Sequence, residues 1–175
     1  MEYSKDISII VPLFNEEESL GELFSWIRKV MEENGFSYEV IFVDDGSTDG
    51  SWKVITEIAG QNSNVRGISF RRNYGKSAAL FHGFEAASGR VVFTMDADLQ
   101  DSPEELPEMY RMITVEGWDV VSGWKQHRQD NKVTKNLPSK LYKVLCAIYG
   151  KTPQHDIRQG AESLQGDAHA SMAEQ

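Results

Sequence analysis

Apolar residues along the chain follow two spacings that alternate. Short continuous runs, Ile7–Leu13, Tyr38–Val43, Val65–Phe70, Val91–Met95 and Trp118–Ser122, have the length and β-branched content of strands. Between them the apolar positions recur every three or four residues. Leu20, Leu23, Phe24, Ile27, Val30 and Met31 predict a helix that stops at Asn34-Gly35, and Trp52, Val54, Ile55 and Ile58 predict a second that stops near Gly60. Helices are also expected over Lys76–Ala87, over Pro103–Val115, and over Leu137–Tyr149, where Leu141, Val144, Leu145 and Ile148 share one face. Repeated strand–helix units predict an α/β fold, a mostly parallel sheet with helices on both faces. The strands are apolar throughout rather than alternating, as strands buried on both sides should be.

Parallel strands end on one rim, and the polar clusters of this sequence fall at those ends. They are Pro12 to Glu16, the turn Asp44-Asp45-Gly46-Ser47, the basic loop Arg71 to Lys76, Asp96-Ala97-Asp98, and Gly123-Trp124-Lys125. With 11 Asp in 175 residues, chance supplies about 0.7 Asp-X-Asp triplets, so the triplet alone is weak. Its address carries more weight, because open α/β sheets bind ligands beyond the carboxyl ends of their strands. Two carboxylates one residue apart suit Mg2+ or Mn2+, hard cations that take oxygen ligands and keep positions open for phosphate. Each cluster also has a plainer reading: Asp44–Gly50 as a turn, Phe14 as core, Arg71, Arg72 and Lys76 as a solvated face.

Composition narrows the classes. A net charge of −9 argues against general nucleic-acid binding, which needs a basic footprint. Cys146 is the single cysteine, so no intrachain disulfide forms, and a reducing, cytoplasmic location is expected. No apolar run approaches a membrane span, and Ile7–Phe14 runs into Asn15-Glu16-Glu17-Glu18 instead of a cleavage site, so the chain reads as soluble. Against the acidic background, Gly123–Lys143 holds six Lys or Arg and one Asp. This stretch reads either as a solvated loop or as a surface for an anionic lipid phosphate at the inner face of a membrane.

Four strings carry a family resemblance: Val11-Pro12-Leu13-Phe14-Asn15-Glu16, Val43 to Gly50, Arg72 to Leu80, and Met95 to Glu104. In this order they resemble the nucleotide-sugar domain of family 2 glycosyltransferases of the GT-A type. The likeness is strongest to the branch of dolichyl-phosphate mannosyltransferase and bacterial polyprenyl-phosphate sugar transferases, and it covers residues 7 to about 145.

The resemblance implies a metal-dependent, inverting hexosyl transfer from a UDP- or GDP-sugar to a polyprenyl phosphate or a glycan, in cell-envelope polysaccharide synthesis. By it, Pro12, Phe14 and Glu16 would line the base pocket, Asp45 would meet the base edge, and Lys76 would sit near the nucleotide. Asp96 would approach the ribose and the metal network, while Asp98, helped by Gln100, would ligate Mg2+ or Mn2+; Asp96 and Asp98 are the catalytic pair. Lys125, where an arginine is common, and Arg128 would clamp phosphate, and Asp156 falls near an acidic residue of the acceptor half.

The pattern breaks at His155-Asp156-Ile157-Arg158-Gln159-Gly160, with Gln159 where the family has cysteine. A one-nucleotide shift can turn Ala161–Gln165 into Leu-Lys-Ala-Tyr-Lys, closer to the family. The expected organisation is therefore a partial glycosyltransferase domain over 1–160 and a foreign, disordered tail over 161–175, set by a frameshift. Two rival readings stand beside an active transferase. One is a non-catalytic nucleotide-binding fragment without an acceptor half. The other is a sugar nucleotidyltransferase, which the acidic Asn15-Glu16-Glu17-Glu18 disfavours because a basic, glycine-rich loop belongs there.

Overall fold

The computed structural model describes residues 3–123 and the backbone of residues 147–148. Strands β1 (Lys5–Leu13), β2 (Tyr38–Asp44), β3 (Val65–Ser69) and β4 (Gly89–Thr94) are joined by helices α1 (Leu20–Glu33), α2 (Ser51–Gln61) and α3 (Lys76–Ala86). A 3-10 turn, Pro103–Glu105, leads into α4 (Leu106–Thr114), and a short β5 (Ala147–Ile148) completes the sheet. The order across the sheet is β3-β2-β1-β4-β5. The first four strands run parallel, with Ile9 level with Val40 and Phe93, and Val40 level with Val65. The chain winds outward from β1 through β2 to β3, then returns to lay β4 on the other side of β1. A crevice opens where the winding reverses.

Alternation along the strands sorts the core into two layers. Ile7, Ile9, Val11 and Leu13 of β1, with Val40 and Phe42 of β2 and Phe93 of β4, meet Leu20, Leu23, Phe24 and Ile27 of α1, Ile55 of α2, and Leu106, Met109 and Ile113 of α4. On the opposite face Ile10, Ile41, Val43 and Val92 meet Ala79 of α3. Gly83 makes that approach close, since a Cβ there would stand 2.4 Å from Ile10 Cγ2.

Three elements depart from the pattern-based expectation. Trp118–Ser122 does not form a strand: Trp118 and Val120 are exposed, and only Val121 reaches the core. The free edge of β4 is instead taken by Ala147 and Ile148, antiparallel to Val92 and Val91, within the stretch whose spacing predicts a helix over Leu137–Tyr149. Unpaired edge N–H and C=O groups reward a strand there whatever the local period; the rest of that stretch lies outside the described residues. The helix expected over Pro103–Val115 is split because Pro107 has no N–H to give the Pro103 carbonyl, so the first turn closes as 3-10.

Candidate functional site

The carboxyl ends of β1, β2 and β4, with the loop between β3 and α3, surround a cleft of about 430 Å3 at the crevice. Its lining brings together Pro12, Phe14, Glu16, Asp45, Lys76, Asp96 and Asp98. These are the rim residues singled out in the sequence, from four separate strings. Gln100 sits beside the cleft and not in its lining, its backbone N–H donating to Asp98 Oδ1 at 3.1 Å. Lys125, Arg128 and Asp156 lie outside the described residues, as do the expected tail and the basic stretch beyond residue 123.

Local hydrogen bonding explains how each group is held. Asp45 is 4% exposed, and its two oxygens accept from the backbone N–H groups of Tyr74 (2.7 Å) and Gly75 (2.8 Å). The carboxylate thus pins the β3–α3 loop while its remaining lone pairs stay available to a ligand in the cleft. Gly46 makes this contact close enough: its φ is +75°, and a Cβ would stand 2.4 Å from the carbonyl carbon of Arg72. Asp44, also buried, turns the chain by accepting from the Ser47 N–H at 2.9 Å.

The loop after β1 is laced to the same turn. Asn15 N–H donates to Ser47 Oγ, Asn15 Oδ1 accepts from Thr48 N–H, and Glu16 N–H donates to Ser51 Oγ, at 2.8–2.9 Å. Asp49, exposed just before α2, accepts from Ser51 N–H at 2.9 Å; loss of hydration raises its pKa, and hydrogen bonds from Ser51 and Glu17 outweigh that and hold it below the usual carboxylate range. Phe14 stays 43% exposed above this scaffold, so its ring is offered to the cleft and not spent in the core.

Among the described residues the only non-glycines in the left-handed region are Asn15 (φ 57°) and Leu99 (φ 61°), one at each side of the crevice. Leu99 packs its side chain on the larger core layer, which turns its neighbour Asp98 outward to solvent. Backbone held in this region is tolerated where surrounding contacts over-determine it.

On the β4 side Asp96 accepts a charged hydrogen bond from Lys76 at the start of α3, and its N–H is held by Asp101 Oδ2 at 3.1 Å. Arg71 and Arg72 do not line the cleft; the Arg72 guanidinium lies 4.9 Å over the Tyr74 ring. For them the plainer reading, a solvated face, holds. Asn73, Gly75 and Ala79 do line it, and the sequence reasoning passed them over within the Arg72–Leu80 string. The signal the sequence offered was a glycine, Gly75, directly before the predicted helix; its φ of 93° is the left-handed backbone that glycine allows.

The charge balance limits what the cleft can bind. Among the described residues its lining sets the carboxylates of Glu16, Asp45, Asp96 and Asp98 against one cation, Lys76. An anionic ligand such as a diphosphate would be repelled unless a cation came with it. Oxygen donors fit a hard divalent ion. No group of three or more His, Cys, Asp or Glu side chains is assembled for a metal among the described residues.

The chain matches the model of glycosyl transferase family 2 over residues 8–169. It belongs to that family. The undecaprenyl-phosphate 4-deoxy-4-formamido-L-arabinose transferase of Aeromonas hydrophila subsp. hydrophila is 40% identical over 147 residues, which cover 83% of this chain and 45% of that protein. Among solved structures, the mannosyltransferase PcManGT of Pyrobaculum calidifontis, in complex with GDP-Man and Mn2+, superposes with a TM-score of 0.60 at 25% identity, over 71% of this chain and 36% of that one. Glucosyl-3-phosphoglycerate synthase of Mycobacterium tuberculosis, in complex with UDP, gives 0.57 at 26% identity, over 71% and 46%. The chain thus spans less than half the length of each. Its fold is the α/β, mostly parallel GT-A type of this family. No helix among the described residues is long and apolar enough to cross a membrane.

Proposed function

We propose that this chain holds the donor half of a metal-dependent, inverting glycosyltransferase that takes a sugar from a UDP- or GDP-sugar, with a polyprenyl phosphate as the favoured acceptor and a glycan as the alternative. The observation that carries this is the position of Asp96-Ala97-Asp98 across the crevice from Phe14 and Asp45. A cation site would then face a stacking surface and a buried acceptor for a base N–H, as a nucleoside diphosphate requires.

In this reading Phe14 stacks on the base, Pro12 and Glu16 shape its pocket, and Asp45 accepts from its edge. Asp96 approaches the ribose; Asp98, with Gln100, would hold Mg2+ or Mn2+. When bound, the ion neutralises charge on the departing diphosphate. The Mn2+ of the Pyrobaculum complex supports a divalent ion in this fold. Lys125 and Arg128 are proposed to clamp phosphate and Asp156 to serve the acceptor side. A polyprenyl phosphate is already an anionic nucleophile and needs no strong base, whereas a sugar hydroxyl would need a carboxylate to take its proton. The Aeromonas relative, named for undecaprenyl phosphate, favours the first, and such an acceptor would put the protein at the inner face of a membrane.

A panel of UDP, GDP and their sugars with and without Mn2+ tests the donor site by thermal shift. One nucleoside diphosphate should raise the melting temperature, and more so with Mn2+, since a ligand at 100 times its Kd stabilises by about 2.7 kcal/mol. No response to any nucleotide with Mn2+ would overturn the reading. Nucleotide binding without sugar transfer to undecaprenyl phosphate or glycan would favour a non-catalytic binding role.

A further inference from the structure

The ion pair between Lys76 and Asp96 crosses the cleft from the start of α3 to the loop after β4 through charged side chains. Lys76 is the first residue of α3, its side chain is 42% exposed, and it reaches Asp96, which is 24% exposed. Asp98 lies two residues on, in the same lining, and exposed. The lysine ammonium therefore lies against the Asp96 carboxylate, where it competes with any other cation that binds that carboxylate. Two positive charges cannot share it cheaply at such separations.

From this, and resting on the donor-site reading above, we infer that Lys76 is a stand-in cation: it neutralises Asp96 in the ligand-free protein and is drawn off by the diphosphate as the divalent ion takes its position. The chemistry of the two partners is suited to the exchange. A lysine head is a compact point charge on a flexible stem, with no fixed fork to break, so it moves between a carboxylate and a phosphate without losing geometry. The backbone beneath it does not have to move, since Asp45 pins Tyr74 and Gly75 immediately before the helix.

Such an exchange couples the two ligands. With Lys76 on Asp96 the empty cleft holds divalent ions weakly; a diphosphate that attracts Lys76 uncovers the carboxylate, and the ion then binds more tightly. By linkage the ion must help the diphosphate by the same factor. The sign for Lys76 is thereby opposite for the two ligands. A lysine that served only to bind phosphate would leave the affinity for the ion alone unchanged or nearly so.

The deciding measurement is Mn2+ binding without nucleotide, read from the paramagnetic resonance signal of free Mn2+ or by calorimetry. Lys76→Gln should tighten Mn2+ about threefold to tenfold, the effect of removing one nearby charge at a partly exposed site. The same variant should weaken UDP or GDP measured with Mn2+. Lys76→Arg, which keeps the charge, should stay near the parent value for Mn2+. In an Asp96→Asn background Lys76→Gln should no longer tighten Mn2+, because the shared carboxylate is gone.

An unchanged or weaker Mn2+ affinity in Lys76→Gln, or equal tightening with and without Asp96, would overturn the stand-in. These readouts are separate from the nucleotide panel: a parent that binds Mn2+ but no nucleoside diphosphate refutes the donor-site reading, while Mn2+ affinity in the variants still decides whether Lys76 stands in for the ion at Asp96.

Discussion

Strand β2 carries a buried carboxylate near each end, and the two ends use it differently. Near its start Glu39, 6% exposed, accepts from Ser8 Oγ at 2.6 Å, Ser88 N–H at 2.7 Å, Ser88 Oγ at 2.8 Å and the Arg66 guanidinium at 2.7 Å. Ser8 Oγ also accepts from Gly89 N–H at 2.8 Å, tying β1 to the start of β4. Past its other end Asp45 accepts two backbone N–H groups and faces a cleft that holds further carboxylates. The lower rim saturates its charge with internal donors, and the upper rim leaves acceptors facing open space. Saturation stabilises a fold. Acceptors left facing a cleft are what a ligand can use.

The largest test is of what the rims share. Phe42 lies fully buried in β2 between the two carboxylates. Phe42→Ala should cost about 3–5 kcal/mol by denaturant unfolding. Hydrogen exchange that loosened one rim and left the other protected would show them to be separate units, and would break the comparison.

Next comes Glu39→Ala, which strands Arg66, Ser8 and Ser88. A loss of about 2 kcal/mol is expected, with the thermal response to nucleotide retained. A variant as stable as the parent would remove the lower network from the account of the fold.

Acid sharpens the same point. Burial raises the Glu39 pKa, but hydrogen bonds from Ser8 and Ser88 and the charge of Arg66 outweigh it and hold the carboxyl below its ordinary value. Asp6 is lowered in the same way, chiefly by hydrogen bonds from Ser37. Groups whose folded pKa is depressed stabilise above their unfolded pKa, about 4 for these side chains, and lose that contribution as pH falls through the folded value. Stability should therefore be level from about pH 7 to 5 and decline below about pH 4. Glu39→Gln should be less stable at neutral pH and flatten the decline, measured by urea unfolding across pH.

The smallest stability effect belongs to Asp98→Ala. The side chain is exposed at the upper rim, so a change within about 0.5 kcal/mol is expected. Its effect on ligand response should be the opposite in size: the Mn2+-dependent part of the nucleotide shift should vanish. A full response kept in this variant would contradict the metal role proposed for Asp98.

Much of this was legible in the sequence because the relevant signals are short-range. Helix α1 follows from six apolar residues at helical spacing, and all six are buried. The core of β1, β2 and β4 follows from uninterrupted apolar runs. The rim assignment needed only one further premise, that the strands are parallel. The failures share a cause too. Trp118–Ser122 has strand-like residues but no strand beside it to pair with among the described residues, and Ala147–Ile148 has helical spacing but meets the edge of β4. Pairing is decided by the edge and not by the segment, so no local pattern reports it.

By itself the sequence determined the elements of the α/β layer, their alternation and the family, since periodicity, turn chemistry and motif order are all written along the chain. The tertiary structure alone decided the strand order that sets β4 beside β1, and with it the crevice between Phe14 and Asp96. It also decided that Arg72 turns to Tyr74 while Lys76 reaches Asp96. Arg72 and Lys76 stand four positions apart in one short string, and which of them faces the cleft depends on where α3 begins, on the loop that Asp45 pins, and on the sheet face that Gly83 lets the helix approach.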